Sequence, residues 1–522
     1  MKASTIRSAL EGHGWIGLFI SIPLFIVFWA GSLTLFYPEL KAWSVLPHTL
    51  PHTEFRSVSD TLPLSEVVDT ALSEYDVDTQ ERMFVVLPTD TLPLYELYLP
   101  VKQNEADHTE LTSLYVDPAN GKTVAPIDSF HLADFLYGLH IDLNLPLGDH
   151  IVGIITLFFT VVIFTGLIVQ FKKLITHFFF YRGSKATQRY QLTDMHNVVG
   201  VMSLPYTFMY ALTGLMFNLG LISQIVTLLF VYDGDRTALL NDSGFPKITE
   251  SYAGIEREMP DLDALVASWE EEQHAKAHSL RLTNYGDDNA LIRIIGQHET
   301  SFSQRIDMTY RVRENAFTTE LNPSERNAFA DGTRFLYALH FGHFAGLDVR
   351  VVFFILGLAV CGLIIVGNML WLNKFQNNRS ISQRFKRNIS ALTLGGCAGI
   401  IPATATAFLL ERTLAASLDE RALIVEAAFF LVYGLSVVAA FFTKNRLKMI
   451  SVTVLVSGLI LALLTFVDVI FHSQAIMQYF NAGYKNLFSV SFTCLSFSCL
   501  LLWLGLSLLK KGELTRNTVT NH

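Results

Sequence analysis

Eight stretches of about 20 apolar residues punctuate the chain, at 15–37, 150–171, 198–220, 349–372, 390–410, 422–442, 449–471 and 486–509. Each is long enough to cross the hydrocarbon core of a bilayer as a helix. The central stretches of the first four hold no Asp, Glu, Lys or Arg, with Arg350 at the edge of the fourth. The pattern predicts a polytopic all-α membrane protein with about eight transmembrane helices. The first run is long for a signal peptide and lacks a small-x-small cleavage site, so it is expected to be retained. Tyr37 and Trp43 follow it and are expected as interfacial aromatics.

Two long polar segments interrupt the apolar pattern, and their periodicity changes. The first reads as a helix over 62–75, then alternating strands over 82–88, 94–100 and 112–118, with a turn at Asn120–Gly121. The second reads as a helix over 261–273, followed by SLRLTNYG, ALIRIIGQ and QRIDMTYRV. Each is expected to be a small α+β domain, and neither holds a catalytic constellation.

Charge assigns the sides. Segments 172–190 and 374–390 each carry five Lys or Arg and no acid, while 42–146 carries 17 Asp or Glu against four Lys or Arg. The positive-inside rule then puts both termini in the cytoplasm and the two insertions, about 40–146 and 221–347, on the outer face. Composition agrees with a membrane protein. Of 522 residues, 51% are hydrophobic and only 16% charged, against ~25% charged in soluble chains. Cys361, Cys397, Cys494 and Cys499 all fall in spans, so no disulfide framework is expected in the insertions.

The first four spans repeat. HGWIG opens the first at His13 and HNVVG opens the third at His196. Gly17 and Gly200 follow each histidine by four residues, Pro23 and Pro205 by ten and nine, Gly31 and Gly214 by eighteen. Small residues let helices or a flat ligand approach closely. FLYGLH (135–140) and FLYALH (335–340) precede the second and fourth spans, which begin eleven residues after His140 and His340, at Ile151 and Val351. Asp149 and Asp348 sit just before those points. The expected organisation is a first repeat over 8–190, with its insertion domain at about 42–135, and a second over 191–373, with its domain at about 221–335. A C-terminal block over 374–522 lacks the histidine pattern and reads as an added bundle of four helices.

The repeated histidines carry the candidate chemistry. Topology places His13 and His196 near the cytoplasmic face, and His140 and His340 near the outer face. Packed about a pseudo-twofold axis, each layer brings two imidazoles together, as a six-coordinate b-type haem needs. Two haems at two depths form an electron path. A Zn or Cu ion is the alternative ligand for the same imidazoles, although closed zinc sites want four close donors. His150 and His343 are alternates to the outer pair and His177 to the inner pair. Arg350 is read either as a partner for a haem propionate or as a snorkelling interfacial cation. His48, His52, His108, His131, His274, His278, His298, His472 and His522 are read as solvated or terminal. Asp468 is the clearest acid inside a span, with an interfacial place near the outer end of span seven as the blander reading. No GxGxxG on a strand–helix unit, no P-loop and no HExxH occurs. Electrons are therefore expected from a membrane quinol or a separate protein.

The phrases HGWIG (13–17), LYGLH (136–140), DMHNVVG (194–200) and LHFGHFAGL (339–347) resemble the PepSY-associated transmembrane family over roughly residues 8–373. The resemblance implies PepSY-like insertions. It also implies a bacterial inner-membrane location and, as in some members, a b-type haem reductase of ferric siderophores, with His13, His140, His196 and His340 matching the recurrent histidines. The four extra spans depart from the family core. The acidic insertions speak against a strongly anionic acceptor. The expected activity is that of an oxidoreductase carrying electrons to an outer-face acceptor, with no catalytic residue assigned. Membrane lipid, a ferric siderophore or other acceptor, and a quinol or protein donor are the expected partners; nucleic acid is not. The alternative is a non-enzymatic accessory or sensor for iron or metal uptake, and a transporter is a third reading.

Overall fold

A computed structural model describes residues 2–49, 61–102, 108–183, 186–242, 248–298, 305–318, 328–376, 378–481, 483 and 486–520. Seven helices are long and apolar enough to span a membrane, or eight if one bent pair counts as a single span. The apolar core of the bundle is built mainly from Ile20, Phe25, Phe28, Trp43, Phe135, Leu136, Val360, Ala403 and Phe429.

The chain opens with α1 (Ala3–Thr34), the first span. A short break leads to α2 (Tyr37–Thr49), which turns back into the protein. Of Tyr37 and Trp43, expected at the lipid–water interface, Trp43 lies inside the protein and Tyr37 is half-buried. Trp43 is fully buried, packs on Phe408 at 5.5 Å and donates to Ser491 Oγ at 3.0 Å. Tyr37 donates to Asp134 Oδ1 at 2.5 Å. An indole N–H and a phenol need partners when buried, and the bundle supplies them.

The first insertion supplies α3 (Leu64–Glu74) and strands β1 (Met83–Val86), β2 (Tyr95–Lys102), β3 (Thr109–Val116) and β4 (Thr123–Pro126). Then come α4 (Leu132–Ile141) and the second span, α5 (Gly148–Gln170). The third apolar run is not one straight helix. It splits into α6 (Gln188–Met202) and α7 (Leu204–Phe230), bent by 63° around Ser203. Pro205 has no N–H to continue the ladder, which accounts for a break at this place.

The second insertion supplies α8 (Leu262–Gln273) and β5 (Ala275–Thr283), β6 (Leu291–His298), β7 (Arg305–Arg311) and β8 (Ala316–Thr318). α9 (Ala328–Phe341) leads to the fourth span, α10 (Gly346–Lys374). The two insertions, read from sequence as two domains, share one antiparallel sheet of order β4-β3-β2-β1-β5-β6-β7-β8. β1 and β5 pair at its centre, Val85 opposite Leu280. Each half has a strand edge that would otherwise be unpaired, and joining them satisfies both. α3 and α8 cover one face, burying Val67, Leu265 and Trp269 against Val85, Leu280 and Ile292. The two helix starts cap each other: Leu64 N–H donates to Asp263 at 2.8 Å and Leu262 N–H to Ser65 Oγ at 2.9 Å.

The last four spans are α11 (Gln383–Thr413), α12 (Arg421–Phe442), α13 (Arg446–Asn481) and α14 (Phe488–Lys511). They are tied to the first half of the chain. Trp29 of α1 donates to Thr404 Oγ1 at 3.0 Å, and a side chain on Gly396 would press on Ile22 at 3.2 Å. π-helical turns interrupt α11 at Thr393–Ala398 and α13 at Asp468–His472.

Candidate functional site

The four repeated histidines meet in two pairs, one on the sheet side of the bundle and one on the far side. His13 of α1 faces His196 of α6, with ring centroids 6.0 Å apart and planes at 86°. His140 of α4 faces His340 of α9, with centroids 5.9 Å apart and planes at 42°. Two imidazoles bound trans to one metal at about 2.0 Å per bond have centroids roughly 6 Å apart.

Each pair opens on a cavity. The far cavity has a volume of 500 Å³ and is lined by His13, His196, Gly17, Gly200, Trp15, Trp371, Glu11, Arg189 and Lys374 among others. The sheet-side cavity measures 620 Å³ and is lined by His140, His340, Gly31, Gly214, Tyr37, Tyr137, Tyr206, Tyr210, Tyr337, Asp134 and Asp149 among others. The repeated glycines therefore line the cavities two by two. Nothing lies within 4 Å of a Cβ placed on Gly17, whereas one on Gly31 would sit 2.5 Å from His140 Nδ1. The first glycine leaves space and the second lets an imidazole lie against α1. Leu24 and Phe159 line both cavities, so the partition is one layer of side chains.

Hydrogen bonds decide which ring nitrogen points into the cavities. His13 Nδ1 lies 3.0 Å from the Val162 carbonyl and His140 Nδ1 lies 2.9 Å from the Val27 carbonyl. A carbonyl only accepts, so both Nδ1 atoms carry the proton. Thr213 Oγ1 donates its own proton to the Met209 carbonyl at 2.8 Å. With its proton on that carbonyl, the hydroxyl accepts from His340 Nδ1 at 2.8 Å. Three of the four rings thus keep Nε2 as a free lone pair, the form that ligates a metal with its other N–H held by a second partner. His196 Nδ1 is buried with only an imperfect approach to the Leu363 carbonyl.

The donor set separates the candidate ligands. Among the described residues no third His, Cys, Asp or Glu joins either pair to form a metal-binding group. Two imidazoles facing across an apolar slot fit a planar group that brings its own in-plane donors. They fall short of the four donors of a closed zinc site. Cavities of this size lie in the usual range for cofactor sites.

The alternates fare differently. His150 is partly exposed and lies 2.6 Å from Asp149 Oδ1, away from the facing rings. The side chains of His177 and His343 lie outside the described residues. Arg350 lines neither of the two histidine cavities; it is partly buried and pairs with Glu39 of α2 at 2.8 Å. This pair ties α2 to α10. His52 and His522 also lie outside the described residues.

His48, read as solvated, is half-buried between Phe130 and His472, 5.6 and 5.3 Å away. Burial, then the charges of Arg421, His472 and Arg412, push it down to about 3. Around it lies an ionic cluster that hydropathy did not reveal. Arg412 pairs with Asp468 at 2.6 Å and bonds the Trp43 carbonyl; Arg421 pairs with Glu411 at 3.0 Å. All four are nearly inaccessible, so Asp468 is enclosed by the protein rather than exposed on its surface. The only signals were Asp468 itself and the Glu411–Arg412 pair at the end of the fifth run. Each charge is tolerable because its partner sits on a neighbouring helix.

The family model for the PepSY-associated TM region matches residues 10–374, which include all four facing histidines. The chain belongs to the PepSY-associated TM family. It is also 24% identical over 228 residues to Uncharacterized protein PA4219 of Pseudomonas aeruginosa, a match covering 42% of this chain and 57% of that relative. The match to the family ends with α10, so the last four spans lie beyond it. Within this PepSY-associated TM protein, the ordered histidines fall on α1, α4, α6 and α9, the elements that face across the two cavities.

Proposed function

We propose that this protein is a bacterial inner-membrane haem b protein that carries electrons across the membrane to a periplasmic acceptor. The acceptor class that fits best is a ferric siderophore, whose iron would leave the chelator as Fe(II) after one-electron reduction. The observation that carries this reading is the stacking of two histidine pairs at 6.0 and 5.9 Å, each beside its own cavity.

On this reading His13 and His196 hold one haem and His140 and His340 the other. When bound, haem b supplies one-electron exchange between Fe(III) and Fe(II). Each imidazole pair would hold its haem from both sides and so would keep oxygen from the iron. Val162, Val27 and Thr213 hold the rings in the ligating tautomer. The apolar walls, Leu24 and Phe159 among them, exclude water between the two sites. Fourteen residues of α1 separate His13 from Val27, against which His140 rests; at 1.5 Å per residue that is about 20 Å. The Lys- and Arg-rich loops lie on the far side, which supports a cytoplasmic placement there and a periplasmic sheet. A quinol or a separate protein is the donor. Reduction weakens binding by hard oxygen ligands and frees the iron.

The test is spectroscopic. The purified protein, expressed with adequate haem supply, is expected to show a b-type spectrum that sharpens with dithionite, with about two haems per chain. A colourless protein ends the proposal.

A further inference from the structure

The sheet face opposite α3 and α8 looks toward the bundle. Glu96 on it pairs with Lys41 of α2 at 2.8 Å, and Tyr115 on it packs on Phe130. Strand register puts further residues on this face. Phe84 stands opposite Arg281, Arg281 opposite Arg293, and Arg293 opposite Thr309. Two residues along, Asp307 and then Arg305 continue it on β7.

The result is a group of arginines with one carboxylate among them. Arg293 pairs with Asp307 at 2.7 Å, and Arg305 reaches the same oxygen at 3.7 Å. Arg334 of α9 is buried and donates to the Arg305 carbonyl at 3.0 Å. Arg281 lies over the Phe84 ring at 4.4 Å, has no carboxylate partner among the described residues, and holds a buried Nε without a hydrogen bond. Burial, then Arg293, Arg82 and Arg305, push its guanidinium below the usual value, and only Asp307 opposes them. Like charges this close are costly unless something anionic offsets them. The acidity of the insertions as a whole is not reproduced on this patch.

Position matters as much as charge. Arg334 and His340 share α9, six residues apart, or about 9 Å along the helix. An anion held here lies one and a half helical turns from the sheet-side imidazole pair.

We propose that Arg281, Arg293, Arg305 and Arg334 form a docking site for an anionic iron(III) chelate with free carboxylates, held against the sheet's bundle-facing side above the sheet-side cavity. The site rests on the reductase reading for its purpose, but its binding chemistry stands apart from it. Guanidinium groups match carboxylates with paired N–H donors, and Arg281 offers such a donor set with no carboxylate partner among the described residues.

The test uses the redox-inert gallium(III) citrate complex and the full chain in detergent, followed by calorimetry. The wild type is expected to bind it, more weakly as salt rises. The double variant R281Q/R293Q is expected to lose about tenfold or more in affinity, as removal of charge-assisted hydrogen bonds implies. R281K keeps the charge and stays closer to the wild type. A neutral gallium hydroxamate should be indifferent to the double variant. Size-exclusion profiles and R281Q alone control for folding. No binding of gallium citrate by the wild type, or equal binding by R281Q/R293Q, overturns the site. Phospholipid that copurifies with the wild type and is lost from R281Q/R293Q reassigns the cluster to a headgroup, which also overturns it. Gallium exchanges no electrons, so this titration can fail while the haem reading stands, and the reverse.

Discussion

The far and sheet-side cavities are built from matching phrases, yet they are not alike. Ring separations are the same within 0.1 Å, but the ring planes cross at 86° on the far side and 42° on the sheet side. Trp15 and Trp371 line the far cavity; five tyrosines line the other. His340 is held by a threonine hydroxyl, whereas His13 and His140 are held by backbone carbonyls. The difference teaches that the motif sets where an imidazole pair forms, while neighbouring helices set its hydrogen bonds, polarity and angle. Those are the levers by which a protein tunes a bound haem.

The strongest way to break the comparison is to delete one layer. His140→Ala and His340→Ala are each expected to remove the same half of the haem absorbance and leave the rest. His13→Ala and His196→Ala should remove the other half. If His140→Ala and His340→Ala abolish different spectral components, the pairing by layer is wrong.

Next comes Gly31→Ala. Its Cβ would lie 2.5 Å from His140 Nδ1, a contact that forces the ring away. Haem content on the sheet side should fall by more than half while the far component is unchanged. Gly166→Ala, 3.1 Å from His13 Cε1, is the milder far-side counterpart. Equal loss in both variants would remove the asymmetry between the cavities.

A smaller effect is expected from Thr213→Val. The acceptor on His340 Nδ1 makes the imidazole a stronger donor to Fe(III). Its loss should raise the sheet-side midpoint potential by on the order of 40 mV, from a hydrogen bond of about 1 kcal/mol and 59 mV per tenfold change. A downward or absent shift in a redox titration counts against the tautomer assigned here.

Tyr37→Phe is the subtlest. Burial first, then Asp134, hold this phenol well above its usual range, so it stays a donor. Removing the hydroxyl leaves Asp134 without that bond and should cost about 1–3 kcal/mol in stability. The spectrum of the sheet-side component should shift more than that of the far one. A shift confined to the far component would mean that Tyr37 does not serve the cavity it lines.

Much of this arrangement was legible along the chain. The apolar runs matched spans, because about 20 apolar residues have few other uses. Helix-then-strand patterns in the insertions were also readable, because β-strands alternate with a period of two. The 63° bend in the third run was not read from the sequence, although Pro205 marks its place. The contacts of Trp43, His48 and Arg350 were not legible along the chain, because hydropathy is local. Their partners, Arg412, His472 and Glu39, come from elements distant in sequence.

By itself the sequence determined the span lengths, the order of the histidines and the glycines that leave room beside them. Those are properties of single helices, fixed by local composition and the 3.6-residue turn. Only tertiary structure decided that the two insertions share one sheet through β1 and β5, since strand pairing is a contact between segments about 190 residues apart. It also decided the proton on each Nδ1. A tautomer depends on which carbonyl or hydroxyl a neighbouring helix presents, and no periodicity records that.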